Sequence, residues 1–297
     1  MPLYLILFEI QQKTRYVAFM GKIRIIAGPT ASGKSGLGVR LAQRLGGCVV
    51  NADAMQAYRD LSVITARPSE ADMQGIPHHL YGYLGCHEYS SAADWAARAV
   101  PVLQEVKNPV VVGGTGLYLE ALTKGLADIP DIDPDIRALV RQMPVEEVRA
   151  RVQGCRFTDP HRMRRALEVQ LSTGRPIDYF QSKKRLPVID AVFQKILLLP
   201  PRDVLYQQCE KRFYQMLEQG AVEEVRELLT RKPTGGILKA IGVPEIQKYL
   251  EGKITKDDMI QQVILSTKHY AKRQSTWFRG RLEADVVLKS PDEIDKI

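Results

Sequence analysis

The eight residues 28–35, GPTASGKS, fit the pattern G-x-x-x-x-G-K-[ST] at every constrained position. An apolar run of β-type residues, 22–27, precedes them, and an amphipathic helical pattern follows. A strand, a glycine-rich loop and a helix N-terminus in this order cradle phosphate, because the loop N–H groups point at the anion. Lys34 would add a positive charge, and the Ser35 hydroxyl is placed to hold Mg²⁺. The residues predicted to bind phosphate are Gly28, Pro29, Thr30, Ala31, Ser32, Gly33, Lys34 and Ser35. The pattern does not say whose phosphate they bind.

Two further apolar runs end in polar residues. Residues 48–53 end in Asp53, and residues 110–115 end in Thr115 after a glycine-rich turn. Between them, Ser91 and Asp94 resemble a capping box that begins a helix. Strands that alternate with helices and are apolar throughout predict a parallel sheet covered on both faces. Ligands bind outside the carboxyl ends of such strands, so we expect residues 28–35, Asp53 and Thr115 to converge on one site.

A later helical pattern carries an arginine on an apolar stripe. Between about residues 204 and 218, Leu205, Cys209, Arg212 and Met216 share one helical face. A guanidinium that turns inward needs a partner, and a bound phosphate is a suitable one. An arginine that extends to the edge of the stripe, or pairs with a nearby glutamate, fits the same spacing.

Charge and composition favour a polyanionic partner. The chain of 297 residues has a formal net charge of +8. Residues 125–190 read as a mainly helical insertion with a basic face, between core segments 21–124 and 191–297. Residues 268–279 contain four cations and no acid, interleaved with aromatic residues, as suits a nucleic-acid backbone and exposed bases. A solvated charged face would give the insertion the same composition.

The first twenty residues and the cysteines bear on the protein's location. Residues 1–20 lack the features of a signal peptide, and their apolar run is too short to span a membrane. We expect them to be an extension with no part in the chemistry, preceding a natural start at Met20. The four cysteines are scattered without C-x-x-C pairing, as in reduced thiols of a cytoplasmic protein.

Several motifs in a fixed order resemble the tRNA dimethylallyltransferase family. They are GPTASGKS (28–35), NADAMQAYRDL (51–61), GGTGLYL (113–119), DIPDIDPDIR (128–137), DPHRMRRALEV (159–169), KAIG (239–242) and AKRQSTWFR (271–279). The sequence departs from the family pattern at Ala54, at Val243-Pro244 and in a shortened stretch between Arg137 and Asp159.

The resemblance implies a P-loop NTPase-like fold that holds the diphosphate of dimethylallyl diphosphate and transfers the prenyl group to the adenosine 3′ of the anticodon in tRNA. It implies that Asp53 is the general base, that Thr115 lies beside the leaving-group oxygen, and that Lys34, Arg212 and Mg²⁺ hold the diphosphate. The implied tRNA contacts are Asp53, Ala54, Met55, Gln56, Thr115, Arg137, His161, Arg162, Met163, Arg164, Arg165, Lys239, Lys272 and Arg273. We also expect a monomer with no membrane association.

Two other functions fit parts of the sequence. A small-molecule or nucleoside kinase would use residues 28–35 for ATP and Asp53 for Mg²⁺ or a hydroxyl. A nucleic-acid-binding protein with a regulatory nucleotide would use the basic segments without chemistry. The basic character of residues 125–190 and 268–279 disfavours the kinase, and Asp53 and Arg212 at site positions disfavour the binding protein.

Overall fold

The computed structural model describes residues 18–152, 154–183 and 185–297. Within this part of the chain, six strands form one sheet in the order β3-β2-β4-β1-β5-β6, and every neighbouring pair is parallel. The strands are β1 (Ala18–Ala27), β2 (Cys48–Asn51), β3 (His78–His79), β4 (Pro109–Gly113), β5 (Asp190–Leu198) and β6 (Val286–Leu288). The predicted parallel α/β sheet is confirmed.

Twelve α-helices lie between the strands along the described chain. They are α1 (Lys34–Leu45), α2 (Glu70–Met73), α3 (Ala92–Glu105), α4 (Gly116–Thr123), α5 (Pro134–Gln142), α6 (Val145–Arg151), α7 (Pro160–Thr173), α8 (Ile177–Gln181), α9 (Arg202–Glu218), α10 (Ala221–Thr230), α11 (Val243–Leu250) and α12 (Lys256–Arg281). Short 3₁₀ helices cover Gly236–Lys239 and Pro291–Lys296. The predicted capping box is present, since the Ser91 hydroxyl accepts from the Asp94 N–H while the Asp94 carboxylate accepts from the Ser91 N–H.

The structure describes only the last three residues of the predicted N-terminal extension, residues 18–20. Residues 1–17 of the predicted extension lie outside the described residues, as does Lys184 in the basic insertion. Residues 18–20 belong to β1, so the prediction that they precede the first strand is wrong. The cause is the pairing with β5, in which Ala18 is opposite Asp190, beyond a register shift.

The loop between β1 and α1 has the geometry that its glycines predict. Gly33 is the N-cap of α1 with φ of 87°, in the left-handed region that favours glycine. A Cβ on Gly28 would lie 2.6 Å from the carbonyl oxygen of Leu198, so the loop passes close to the end of β5. The loop is therefore held tightly at the carboxyl edge of the sheet.

The strands that carry Asp53 and Thr115 end two residues earlier than predicted. β2 ends at Asn51 and β4 at Gly113, so both functional candidates lie in the loops that follow. The Asn51 side chain continues the hydrogen bonding where the ladder stops. Its amide donates to the carbonyl oxygens of Asp53 and Leu80, at 3.0 Å each, and its oxygen accepts from the Asp53 N–H at 2.8 Å.

Two compact units make up the described chain. The first contains the residues up to Thr123 and those from Val188 onward, and the second is Lys124–Pro187. The first unit has a core between the sheet and its helices, and another formed by α9 to α12 with the segment 57–64. The second unit packs α5 to α8 around its own apolar core. No helix in the described residues is long and apolar enough to cross a membrane.

Candidate active site

A cavity of about 300 Å³ lies in the first unit at the carboxyl edge of the sheet. Its polar lining includes Thr30 from the loop after β1, Asp53 from the loop after β2, and Arg212 from α9. The apolar lining includes Ile64, Phe213, Met216 and Val263. The structure therefore brings the phosphate loop (residues 28–35) and Asp53 to one cavity, as predicted, and Arg212 lines the same cavity.

The cavity extends along the long helix α12. Gln274 contacts the phosphate loop, and Tyr270, Thr267 and Val263 line the cavity at successive turns toward the helix N-terminus. At 1.5 Å per residue, Gln274 and Val263 are about 16 Å apart along the axis. The apolar wall thus extends away from the phosphate loop. An elongated molecule fits the cavity if its anionic end lies at the loop and its apolar end lies along this wall.

The Arg212 side chain turns toward the phosphate loop. Its neighbours Leu205, Cys209 and Met216 on the same helical face are buried, as the spacing predicts. The guanidinium donates to the hydroxyl of Thr30, and burial lowers its pKa despite the opposing effects of Cys209 and Asp53. A neutral hydroxyl leaves this cation without charge compensation from its hydrogen-bond partner, so a bound anion would be favourable.

Lys34 is buried at the start of α1, with 9% of its surface exposed. Its ammonium group donates to the carbonyl oxygen of Pro29 at 3.3 Å. Its pKa is lowered to about 8, chiefly by burial and also by Arg212, while Asp53 acts in the opposite direction. These effects place Lys34, Asp53 and Arg212 near one another, two cations for one carboxylate. The site is therefore suited to an anion that would restore charge balance.

The pH dependence of anion binding follows from the pKa of Lys34. Protonated Lys34 attracts a diphosphate, whereas the neutral amine that predominates above about pH 8 does not. We therefore expect diphosphate affinity to fall as pH rises through about 8, by up to about tenfold per pH unit for one linked proton. Calorimetry of wild type and Lys34→Met between pH 7 and 10 measures this effect. The difference between the two proteins should shrink with pH, and a constant difference would contradict it.

Asp53 and Thr115 lie on two loops that are joined by hydrogen bonds to the backbone. The Asp53 carboxylate accepts from the Met55 N–H at 3.0 Å, and the Thr115 hydroxyl accepts from the Ala54 N–H at 3.0 Å. The Thr115 N–H donates to the carbonyl oxygen of Ala52 at 3.3 Å. Thr115 therefore lies beside the loop that carries Asp53, but it does not belong to the lining of the cavity.

Of the other predicted RNA contacts in the first unit, Lys239, Lys272 and Arg273 are exposed, whereas Gln56 is hydrogen-bonded within a loop. Lys239 and Arg273 line both the main cavity and an adjoining one of about 240 Å³, which also includes the exposed His269. Lys272 is exposed on α12. The Gln56 amide, in contrast, donates to the carbonyl oxygens of Thr65 and Ala66, at 3.1 and 2.9 Å. In this structure the Gln56 side chain holds a loop together.

Among the predicted RNA contacts of the second unit, Met163 and Arg164 have their side chains engaged within the unit. Met163 is 2% exposed in the core of the unit, so its side chain cannot contact RNA. The Arg164 guanidinium donates to the carbonyl oxygens of Val140 and Arg141 at the end of α5. It thereby ties α7 to α5.

The remaining predicted cations of this unit are accessible. His161 and Arg162 are exposed in the first turn of α7, and Arg165 is partly exposed and pairs with Glu168 at 3.2 Å. Arg137 is half-buried in α5.

Comparison with known proteins is decisive. A family model described as IPP transferase matches residues 56–281, and one described as isopentenyl transferase matches residues 21–84. The tRNA dimethylallyltransferase of Zymomonas mobilis is 44% identical over 88% of both chains. That of Rhizobium etli is 45% identical over 87% of this chain and 94% of the relative. The chain belongs to the tRNA dimethylallyltransferase family.

Solved structures agree with this family assignment. The full-length tRNA isopentenylpyrophosphate transferase from Bacillus halodurans is 31% identical, with a TM-score of 0.70 and 93% coverage of both chains. A eukaryotic dimethylallyltransferase acting on tRNA is 26% identical, with a TM-score of 0.76 over 91% of this chain and 74% of that one. The predicted P-loop NTPase-like fold and membership in the tRNA dimethylallyltransferase family are thus confirmed, and the chain is an enzyme, a prenyltransferase.

Sequence reasoning missed one polar residue at the site of this tRNA dimethylallyltransferase family member. Gln274 is 6% exposed, accepts from the Thr30 N–H and donates to the carbonyl oxygen of Gly114, at 2.8 Å each. It lies in the motif 271–279, whose cations predict an RNA-binding surface. The neighbouring residues give no signal that separates Gln274 from a solvated polar residue.

Proposed function

We propose that the protein transfers the dimethylallyl group from dimethylallyl diphosphate to the N6 amino group of the adenosine 3′ of the anticodon in tRNA, with release of diphosphate. The cavity carries this proposal, because it joins a cationic phosphate loop to an apolar wall and to the basic residues Lys239 and Arg273. A diphosphate with a short hydrocarbon tail fits the first two features, and a nucleotide of RNA fits the third. The lining residues all belong to one unit of one chain, which suits a monomer.

The reaction calls for charge stabilisation and positioning. An adenine N6 group is a poor nucleophile because its lone pair is delocalised into the ring. The allylic carbon compensates by tolerating positive charge as its bond to the diphosphate oxygen breaks and its bond to N6 forms. The loop N–H groups, Lys34 and Arg212 stabilise the charge that develops on the departing diphosphate, and the cavity holds the two reactants together. To reach it, the adenine leaves its stack in the anticodon loop.

Asp53 accepts the proton that N6 loses as the new bond forms. Its carboxylate lines the cavity and accepts one hydrogen bond from the Met55 N–H, which holds it in place. The Thr115 hydroxyl can also donate a hydrogen bond, and we assign that hydrogen bond to the oxygen of the leaving group.

The residues of the phosphate loop suit Mg²⁺ with diphosphate. The Ser32 hydroxyl is buried with no hydrogen-bond partner among the described residues, so the loop has a polar group that a phosphate oxygen would satisfy. Mg²⁺ prefers oxygen ligands and keeps several waters, so it needs few protein ligands. The Ser35 hydroxyl would hold it together with diphosphate oxygens. The ion would supply positive charge to the leaving group.

The second unit contributes to tRNA binding through Arg162 and Arg165. We expect the double substitution to Gln to weaken tRNA binding and to flatten its dependence on salt. The log–log slope should fall by roughly 0.7 for each lost contact to a phosphate of single-stranded RNA. Prenyl transfer at saturating tRNA should be largely retained. Filter binding over a range of salt concentrations measures the slope.

Arg226→Gln is the matched control for that experiment, because Arg226 is exposed on α10 in the other unit. Arg164 is left intact, since its loss would disturb the packing of α7 on α5. An unchanged slope in the double variant would mean that these two arginines form only a solvated helix face.

One assay separates the proposed function from the alternatives. The protein is incubated with unmodified tRNA and radiolabelled dimethylallyl diphosphate, and in parallel with γ-labelled ATP. We expect label in tRNA from the prenyl donor, mapped to the adenosine 3′ of the anticodon, and none from ATP. Transfer of phosphate would support a kinase. Binding of tRNA without any transfer would support a binding protein.

A further inference from the structure

Gln274 connects two loops whose relative position matters for the proposed reaction. Its amide oxygen accepts from the backbone N–H of Thr30 in the phosphate loop, and its amide nitrogen donates to the backbone carbonyl of Gly114. The two partners are 244 and 160 residues away in sequence. A single side chain on α12 therefore joins the loops that follow β1 and β4.

The hydrogen bonds continue on both sides of this amide. Toward the diphosphate, the Thr30 hydroxyl accepts from the guanidinium of Arg212. Toward the acceptor, Gly114 precedes Thr115, whose hydroxyl accepts from the N–H of Ala54, the residue after Asp53. Gln274 is thus the link between the loop that Arg212 contacts and the neighbouring loops that carry Thr115 and Asp53.

Close packing leaves little freedom at this link. A Cβ on Gly114 would clash with the Gln274 amide nitrogen, and one on Gly116 would clash with the ring of Trp277. Glycines at these positions let α12 approach the loop after β4 until the amide reaches both backbones. A shift of α12 would therefore move Thr30 and Thr115 relative to each other.

We propose that Gln274 is a positioning residue that fixes Thr30 for Arg212 on one side and the loop of Thr115 and Asp53 on the other. The roles of those two sides rest on the proposed function. An amide is the side chain that meets both needs, because it accepts from an N–H and donates to a carbonyl at once. A glutamate would present an oxygen to the Gly114 carbonyl, and a methionine would fill the volume without either hydrogen bond.

The test is a double-mutant cycle between Gln274 and Arg212, read by the affinity for inorganic pyrophosphate and by single-turnover prenyl transfer. In the wild-type background, Gln274→Met should weaken pyrophosphate binding several-fold. In the Arg212→Gln background the same substitution should have a much smaller effect, because Thr30 no longer has a guanidinium to position. At saturating substrates, Gln274→Met should slow transfer by roughly 10²-fold, the scale of a misplacement of about 1 Å. Gln261→Met, at an exposed position of the same helix, is the control and should change neither quantity.

The outcomes distinguish positioning from general support of the fold. A residue that only stabilises α12 would lower the melting temperature, and its effect on pyrophosphate affinity would be the same in the wild-type background and in the Arg212→Gln background. That result, or wild-type transfer by Gln274→Met, would overturn the proposal. If the methionine variant does not fold, Gln274→Glu is used in the same cycle. If wild type transfers no prenyl group, the proposed function fails, while the pyrophosphate cycle still decides whether Gln274 positions Thr30 for Arg212.

Discussion

Replacement of Lys34 by Met is expected to lower prenyl transfer by about 10²–10³-fold, the scale of losing one electrostatic stabiliser of a transition state. Lys34 is the buried cation of the phosphate loop, and charge develops on the diphosphate as its bond to carbon breaks. Single-turnover transfer to tRNA measures the loss, and calorimetric titration with pyrophosphate measures the accompanying loss of affinity. Turnover near the wild-type value would contradict the assignment of Lys34 to the diphosphate.

Folding and catalysis can be separated at this position. Burial lowers the pKa of Lys34, so the ligand-free fold disfavours its charged form, and methionine removes that cost at similar volume. The free energy of unfolding of the ligand-free variant should therefore not fall. Lys107→Met, at an exposed position after α3, is the matched control and should retain both stability and activity.

The sequence was most informative where the pattern is local. The order of strand, glycine-rich loop and helix around residues 28–35 depends on neighbouring residues, and the parallel sheet then brings Asp53 to the same edge. Helical spacing placed Arg212 on a buried face, and Cys209 and Met216 on that face are buried as predicted, although the same spacing also fitted an arginine that extends to the edge of the stripe. Such inferences need no knowledge of which distant segments touch.

Long-range hydrogen bonds could not be predicted in this way. Gln274 acts on Thr30 across 244 residues, and nothing near Gln274 distinguishes it from a solvated polar residue in a basic segment. The same limit explains why the sequence did not show that the side chain of Met163 is buried. Its neighbours at 161, 162, 164 and 165 are all basic, and only the packing of α7 on α5 and α6 shows that position 163 faces inward.

The segment 54–89 contains only the short elements α2 and β3, and side chains organise much of its backbone. The Glu224 carboxylate on α10 accepts from the backbone N–H groups of Ser62, Val63 and Ile64 at 2.6 to 2.9 Å. The Gln56 amide then holds the carbonyl oxygens of Thr65 and Ala66. Hydrogen bonds of this kind replace a strand or helix ladder, so hydrophobic periodicity carries no signal there. Yet Ile64 and Thr65 line the cavity.

Asp53→Asn should reduce turnover by roughly 10²–10⁴-fold, the usual range for loss of a general base. Asparagine preserves the shape of the side chain and can still accept from the Met55 N–H, but it cannot take the proton from N6. The affinity for pyrophosphate with Mg²⁺ should change little, since we propose that the phosphate loop, Lys34 and Arg212 hold that anion. Asp257→Asn, at an exposed position in the first turn of α12, is the control for loss of a carboxylate.

Two measurements on the same variant decide the role of Asp53: the single-turnover rate of prenyl transfer and the Mg²⁺-dependent affinity for pyrophosphate. A loss of rate alone supports the general base, because proton acceptance matters only in the chemical step. A parallel loss of rate and affinity, both restored by excess Mg²⁺, would make Asp53 a ligand of the metal. The proton would then have to leave N6 by another route, and the arrangement would resemble that of a kinase, in which a carboxylate beside the phosphate loop serves the metal.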